Sequence, residues 1–224
     1  MKKSLIAFAL IISGAAMAQN ASGVALEEAK MQQALKYGDK DVATGAMYNI
    51  IAMQGETSTY KDSLAYLYFN KRNFLSCFLV TNDVLERNPN NLEILEMNAI
   101  SLESIGAKEK AMEGYEKLLA TSNRAFHAYK IAGLQFGMNK LDDAYSSIKK
   151  AAQLPEEPNI NVSFAVNANY SQDVNLKAAI AYLDGLIAVA QEKKTEAIVA
   201  FERAEKLFPG FVLAKSQLDK LNEQ

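Results

Sequence analysis

Apolar side chains recur at three- and four-residue steps along most of this chain, and short polar or glycine-containing breaks interrupt them at regular intervals. Such spacing puts one side of each segment in a core and the other in water, which predicts a series of amphipathic helices. The stretch Thr195–Pro209, TEAIVAFERAEKLFP, shows the pattern best. Ala197, Phe201, Ala204 and Leu207 fall on one face, and Glu202, Arg203 and Glu205 turn toward water. Two alanines on the inner face leave room for another helix to come close, and Pro209 forbids a further turn.

Upstream, a helix is predicted from about Val24 to Tyr37, with a turn at Gly38-Asp39. A second runs from Lys40 to Met53 with Ala43, Met47 and Ile50 on one face. After a break at Gly55 to Ser58, Tyr60, Leu64, Ala65 and Tyr68 mark the next helix. Its partner, carrying Phe74, Cys77, Val84 and Leu85, ends at the breaker cluster Asn88-Pro89-Asn90-Asn91. Leu95, Ala99 and Leu102 precede a turn at Gly106, and Ala111, Tyr115 and Leu118 follow it. Ala128, Ile131 and Ala132 precede a turn at Met138-Asn139-Lys140, and Ala144, Ile148, Ala151 and Leu154 follow, up to Pro155. A last pair covers Leu176 to Gln191 and then the stretch to Pro209. One more helix, Phe211 to Glu223, turns Leu213, Leu218 and Leu221 inward.

The equivalent small residues Ala43, Cys77, Ala111 and Ala144 stand 34, 34 and 33 positions apart, and Ala197 follows after 53. The surplus lies between Pro155 and Asn175. There Ile160, Val162, Phe164 and Val166 alternate with Asn161, Ser163, Ala165 and Asn167, a period of two that predicts a strand. Asn167-Ala168-Asn169 supplies a turn, and Asp173 to Leu176 could pair back. A lone hairpin is barely stable in water, so its apolar face must rest on helices.

The pattern Ala-x3-Phe-x2-Ala-x4-Pro of Ala197, Phe201, Ala204 and Pro209, with a helix–turn–helix period of 34, resembles the tetratricopeptide repeat (TPR). The resemblance covers residues 19–224 as a single domain and implies an all-α superhelix of about five repeats. The repeats would be 24–57, 58–91, 92–124, 125–155 and 176–209, with a hairpin-like insert at 156–175 and a capping helix at 210–223. Asp184 stands where the family usually has leucine, while Gly185 keeps the site of close helix packing. The family implies a concave groove lined by the first helix of each repeat. Mapped there, Glu28, Asp62, Glu93, Glu96 and Glu103 come from the first three repeats. Tyr66, Phe69, Asn70, Phe126, Tyr129, Phe136 and Tyr182 come from repeats two, four and five. The expected partner-binding set is Asp62, Tyr66, Phe69, Asn70, Glu96, Phe126, Tyr129, Phe136 and Tyr182. A groove acidic in its first half and aromatic in its second suits an extended or helical protein segment with apolar anchors and a few basic residues. It would repel an acidic tail, against the carboxylate clamp some family members use.

Composition narrows the chemistry further. A formal charge of −2 gives no basic footprint for nucleic acid. One cysteine and one histidine exclude a disulfide framework, a multi-cysteine metal site and most histidine-dependent catalysis, so no catalytic, metal or cofactor residue is assigned. Cys77 reads as a packed thiol, His127 as a packed ring, and Asp142-Asp143 and Glu156-Glu157 as solvated carboxylates, since neighbours on a helix do not face each other. Asn20, Asn161 and Asn169 begin Asn-x-Ser triplets, too short a pattern to imply glycosylation beside a leader of bacterial type. Lys2 and Lys3, the apolar run Leu5 to Ile12 and Ala16-Met17-Ala18 read as a cleavable secretory signal over 1–18. No later run is long enough for a membrane span. These features predict an exported, periplasmic, non-catalytic interaction module. The alternative is an envelope protein that self-associates through the 156–175 insert, forming a homo-oligomer.

Overall fold

The computed structural model describes residues 21–223, so the expected signal at 1–18 lies outside the described residues. The chain forms two compact units, one ending at Ile105 and one beginning at Gly106. The first contains α1 (21–36), α2 (Lys40–Gln54), α3 (Tyr60–Asn70), α4 (Phe74–Arg87) and α5 (Leu92–Ser104). The second contains α6 (Lys108–Ser122), α7 (Ala125–Gly137), α8 (Leu141–Gln153), β1 (Asn161–Asn167), β2 (Tyr170–Asn175), α9 (Leu176–Ala190), α10 (Lys194–Leu207) and α11 (Val212–Asn222). The fold is thus an all-α array of helix pairs with one small antiparallel sheet.

The small-residue period is the skeleton of both units. Ala43, Cys77, Ala111, Ala144 and Ala197 are all fully buried, each in the first turns of the second helix of a pair. Four residues on, Met47, Thr81, Tyr115, Ile148 and Phe201 are buried too, and the stripe continues through Ile50, Val84, Leu118, Ala151 and Ala204. Steps of four and then three keep the stripe on one face, so each second helix presents the same edge to its neighbours. Thr81 is the polar exception. Its hydroxyl donates to the Cys77 carbonyl at 2.8 Å and accepts from Asn98 Nδ2 at 2.9 Å, which satisfies both buried groups. Leu207, expected on this face, is exposed at the last residue of α10.

A second repeat is written in the backbone. Gly38, Arg72, Gly106, Asn139 and Glu192 all have positive φ, each two residues before a second helix begins. The tight reversal of a short helix pair demands a left-handed residue there. Glycine takes it without cost, whereas Arg72 and Glu192 occupy it against their preference.

The insert is a hairpin whose register pairs Val162 with Val174 and Phe164 with Gln172. β2 is longer than the alternation suggested, starting at Tyr170, and the register slips between Ala165 and Asn167. Val174 is fully buried, and the Phe164 ring lies 5.4 Å from Tyr182 and 5.2 Å from Phe211. Gln172 Nε2 donates to the Gly210 carbonyl at 2.9 Å, and its Oε1 accepts the Val212 amide at 3.1 Å. Asn175 Nδ2 donates to the Leu207 carbonyl at 3.1 Å. These bonds fix β2 to the junction of α10 and α11, which supplies the support a free hairpin lacks. Glu157 is not the solvated carboxylate expected. It accepts the Phe126 amide at 2.9 Å and Arg124 Nε at 2.7 Å, capping α7, whose own N-cap residue Arg124 provides no side-chain acceptor. Beneath the hairpin, α9 is apolar around almost its whole circumference and buried to match, packed by α8, α10 and both strands. At α11 the inward residues are its N-cap Phe211 and, within the helix, Ala214 and Leu221, with Leu213 and Leu218 only half-buried.

Candidate partner-binding surfaces

The nine sequence-predicted residues divide between the two units, five in the first and four in the second. In the first unit, Asp62, Tyr66 and Phe69 are half-buried on α3, Asn70 is exposed at its end, and Glu96 is half-buried on α5. Tyr66 and Phe69 rest against the core with part of each ring in solvent, and Phe69 meets Phe74 edge to face at 6.1 Å.

Carboxylates and phenols interlock on this surface. Tyr60 Oη donates to Glu28 Oε1 at 2.7 Å, linking α3 to α1. Tyr66 on α3 stands beside Glu93 on α5. Interaction with the Glu93 carboxylate, then burial, then the charge of Asp62 push the Tyr66 phenol up to about 12. The Tyr60 phenol is also raised, chiefly by its bond to Glu28. Glu96 lies one turn beyond Glu93. The arrangement brings Glu28, Asp62, Glu93 and Glu96 from three helices onto one tyrosine-studded face.

On α3 and α5 the balance of charge is one-sided. Among their residues the one cation is Lys61, which is only 7% exposed. It donates to Glu56 Oε2 at 2.8 Å and to Asp83 on α4, so its charge is spent on the other side of the helix. Burial works against the charged ammonium, but these two carboxylates together hold its pKa above the usual lysine value.

In the second unit, Phe126, Tyr129 and Phe136 are half-buried along α7. Lys130 Nζ stands 5.9 Å over the Phe126 ring and 5.7 Å over the buried Tyr115 ring, within cation–π range. Tyr182 departs from expectation. It is 7% exposed and surrounded by Phe164 at 5.4 Å, Phe201 at 5.6 Å and Phe211 at 5.0 Å. The hairpin, seated on α9, converts a predicted surface residue into core.

His127 and Cys77 are packed, as their neighbours suggested. The imidazole Nδ1 lies 3.0 Å from Ser122 Oγ, and the Cys77 thiol donates to the Ala65 carbonyl at 3.6 Å. Burial pushes that thiol up, away from the thiolate a nucleophile needs. Among the described residues, no group of three or more His, Cys, Asp and Glu is placed to hold a metal ion, and no helix is long and apolar enough to cross a membrane.

No family model and no curated protein matches the sequence. Solved structures do match the fold. YrrB, described as a TPR protein with an unusual peptide-binding site, superposes with a TM-score of 0.66 at 12% identity, over 84% of this chain and 88% of its own. MamA from residue 41 onward, from Desulfovibrio magneticus RS-1, gives 0.65 at 16% identity, over 85% and 97%. A tetratricopeptide repeat protein from Parabacteroides merdae gives 0.51 at 18% identity, over 95% and 79%. The fold is that of the TPR proteins. In TPR terms α1, α3, α5, α7 and α9 are the first helices of their repeats, so the acidic face belongs to first helices. At 12–18% identity these likenesses carry the architecture and leave the partner to this chain's own surfaces.

Proposed function

We propose that the protein is a non-catalytic interaction module that binds a basic, apolar-anchored peptide or protein segment on the first-helix face of its first unit. The observation that carries this reading is the carboxylate row Glu28, Asp62, Glu93 and Glu96, set among Tyr60, Tyr66 and Phe69, with Lys61 turned away and neutralised. Acidic side chains would steer and register lysine or arginine, and the aromatic faces would receive apolar anchors or stack on the cations. A peptide-binding site in YrrB, a protein of the same fold, supports the assignment. The half-exposed Phe126, Tyr129 and Phe136 of α7, with Lys130 standing over Phe126, provide a second contact surface.

A fluorescent peptide of alternating lysine and leucine, titrated into the full chain and followed by anisotropy, tests the reading. The double charge reversal Asp62→Lys, Glu96→Lys should weaken binding about tenfold or more and flatten its salt dependence, leaving the melting temperature near wild type. Equal binding of the glutamate counterpart of that peptide, or an unchanged affinity in the variant, would refute it.

The work is assigned to the periplasm, on the strength of the lysine–apolar–small-residue leader at 1–18. Amino-terminal sequencing of the protein from fractionated cells should find Gln19 first, in the periplasmic fraction. An intact Met1 in the cytoplasmic fraction would remove the assignment.

A further inference from the structure

We propose that β1 is a docking edge, to which a partner protein adds an uncharged extended segment as a third strand. This edge belongs to the second unit and the acidic face to the first, so either can fail without the other.

The two strands of the hairpin are held differently. β2 is tied through Gln172 and Asn175 to Gly210, Val212 and Leu207. Side chains of β1 make no such bond to a helix among the described residues; the Asn167 carboxamide only accepts the Asn169 amide within the turn.

Which backbone groups face outward follows from the ladder. The Leu176 amide donates to the Ile160 carbonyl, and hydrogen-bonded pairs alternate along an antiparallel ladder. Val162 and Phe164 therefore bond inward to Val174 and Gln172, while the amides and carbonyls of Asn161, Ser163 and Ala165 point away from β2. Among the described residues the sheet has only two strands, so that row meets no third one there.

Natural edges are usually blunted with lysine, proline or an inward charge. Asn161–Asn167, NVSFAVN, has no charge and no proline. Its inward row of Val162, Phe164 and Val166 stays only half-buried, although Val174 beside it is fully covered. A strand laid against β1 would satisfy the outward amides and carbonyls and cover the uncovered side of that apolar row. The chemistry selects the occupant: backbone in β conformation, apolar or β-branched side chains at alternate positions facing the helices, and no charge to match a charge-free template. Because β2 is pinned, the template is already ordered before the segment arrives, which lowers the entropy lost on binding.

Panning a phage-displayed library of short random peptides on the full chain, then measuring the enriched sequences by anisotropy, tests the assignment. Ser163→Pro is the informative variant. It removes an outward amide and no intrahairpin bond, and proline is tolerated on an edge with its nitrogen toward solvent. Enriched peptides should alternate apolar and polar residues, and they should lose about tenfold or more in affinity on Ser163→Pro. They should bind the Asp62→Lys, Glu96→Lys variant as tightly as wild type. If Ser163→Pro melts well below wild type, Ser163→Lys, which blunts the edge and keeps the amide, carries the comparison, with the same loss expected. Equal affinity for the blunted and native chains overturns the proposal, as does the absence of any alternating consensus. Sedimentation showing a dimer that Ser163→Pro dissociates would also overturn it, giving the edge to a second copy.

Discussion

Gly185→Ala should destabilise the second unit by about 2 kcal/mol, against the ordinary gain of alanine over glycine in a helix. Glycine in mid-helix is worth about 1 kcal/mol less than alanine, so on propensity the change is favourable. Packing opposes it. A Cβ on Gly185 would lie 2.5, 2.6 and 2.8 Å from three atoms of the Phe201 ring. That ring is fully buried and meets Tyr182 at 5.6 Å, so it cannot swing away cheaply. Overpacking of this kind typically costs about 1–3 kcal/mol, and the ring's confinement favours the upper end. Phe201→Ala alone should cost about 4 kcal/mol through lost burial and the cavity left behind. The decisive measurement is the double variant in urea denaturation. Because the cavity accepts the new methyl, it should be more stable than the sum of the singles by about 1 kcal/mol or more. Additive losses would mean that Gly185 is required for some reason other than the approach of α10.

That contact was half legible. The steps Ala197, Phe201, Ala204 disclosed a face that admits another helix closely, and Gly185 stood at the matching site of α9. The 34-residue recurrence of Ala43, Cys77 and Ala111 was readable for the same reason. A small residue at the point of closest helix approach has few substitutes, so the period survives in the letters. The left-handed turn positions are readable at Gly38 and Gly106, and at Asn139 within the turn Met138-Asn139-Lys140. At Arg72 and Glu192 the two flanking helices impose the conformation, and nothing in the local composition announces it.

The hairpin divides along the same line. Alternation of Val162, Phe164 and Val166 disclosed a strand with one apolar face, because a period of two is a property of the segment alone. Where that face would rest is a tertiary fact. A phenylalanine does not name its neighbours, and so the helical phase that points Tyr182 outward does not reveal that Phe164 and Phe211 cover it. Glu157 is equally illegible, since its two bonds are to Arg124 and Phe126, more than thirty positions away. Placing Asp62, Glu93 and Glu96 along their helices needs only helical phase, whereas the contacts of Tyr60 and Lys61 arise between elements.

Asp184→Leu should leave stability unchanged or raise it, whereas Lys149→Met together with Arg203→Met should lower it by about 3 kcal/mol. The carboxylate is 6% exposed, and a single oxygen, Oδ2, accepts both Lys149 Nζ at 2.8 Å and Arg203 Nη2 at 2.7 Å. Removing the anion frees two cations that are 40% and 45% exposed and can return to water, and leucine fills the space with apolar volume. Removing the cations instead strands a buried charge, and that asymmetry, more than the strength of the pairs, sets the two outcomes apart. Solvent screening of the half-exposed partners keeps the loss toward the lower part of the usual range. Since Lys149 lies on α8, Asp184 on α9 and Arg203 on α10, the triad ties three successive helices at one point, and its use is to fix their register. Thermal or urea unfolding of the two variants decides the matter. A loss above about 2 kcal/mol for Asp184→Leu would show that the ion triad itself stabilises the fold, and the register role would then have to be abandoned.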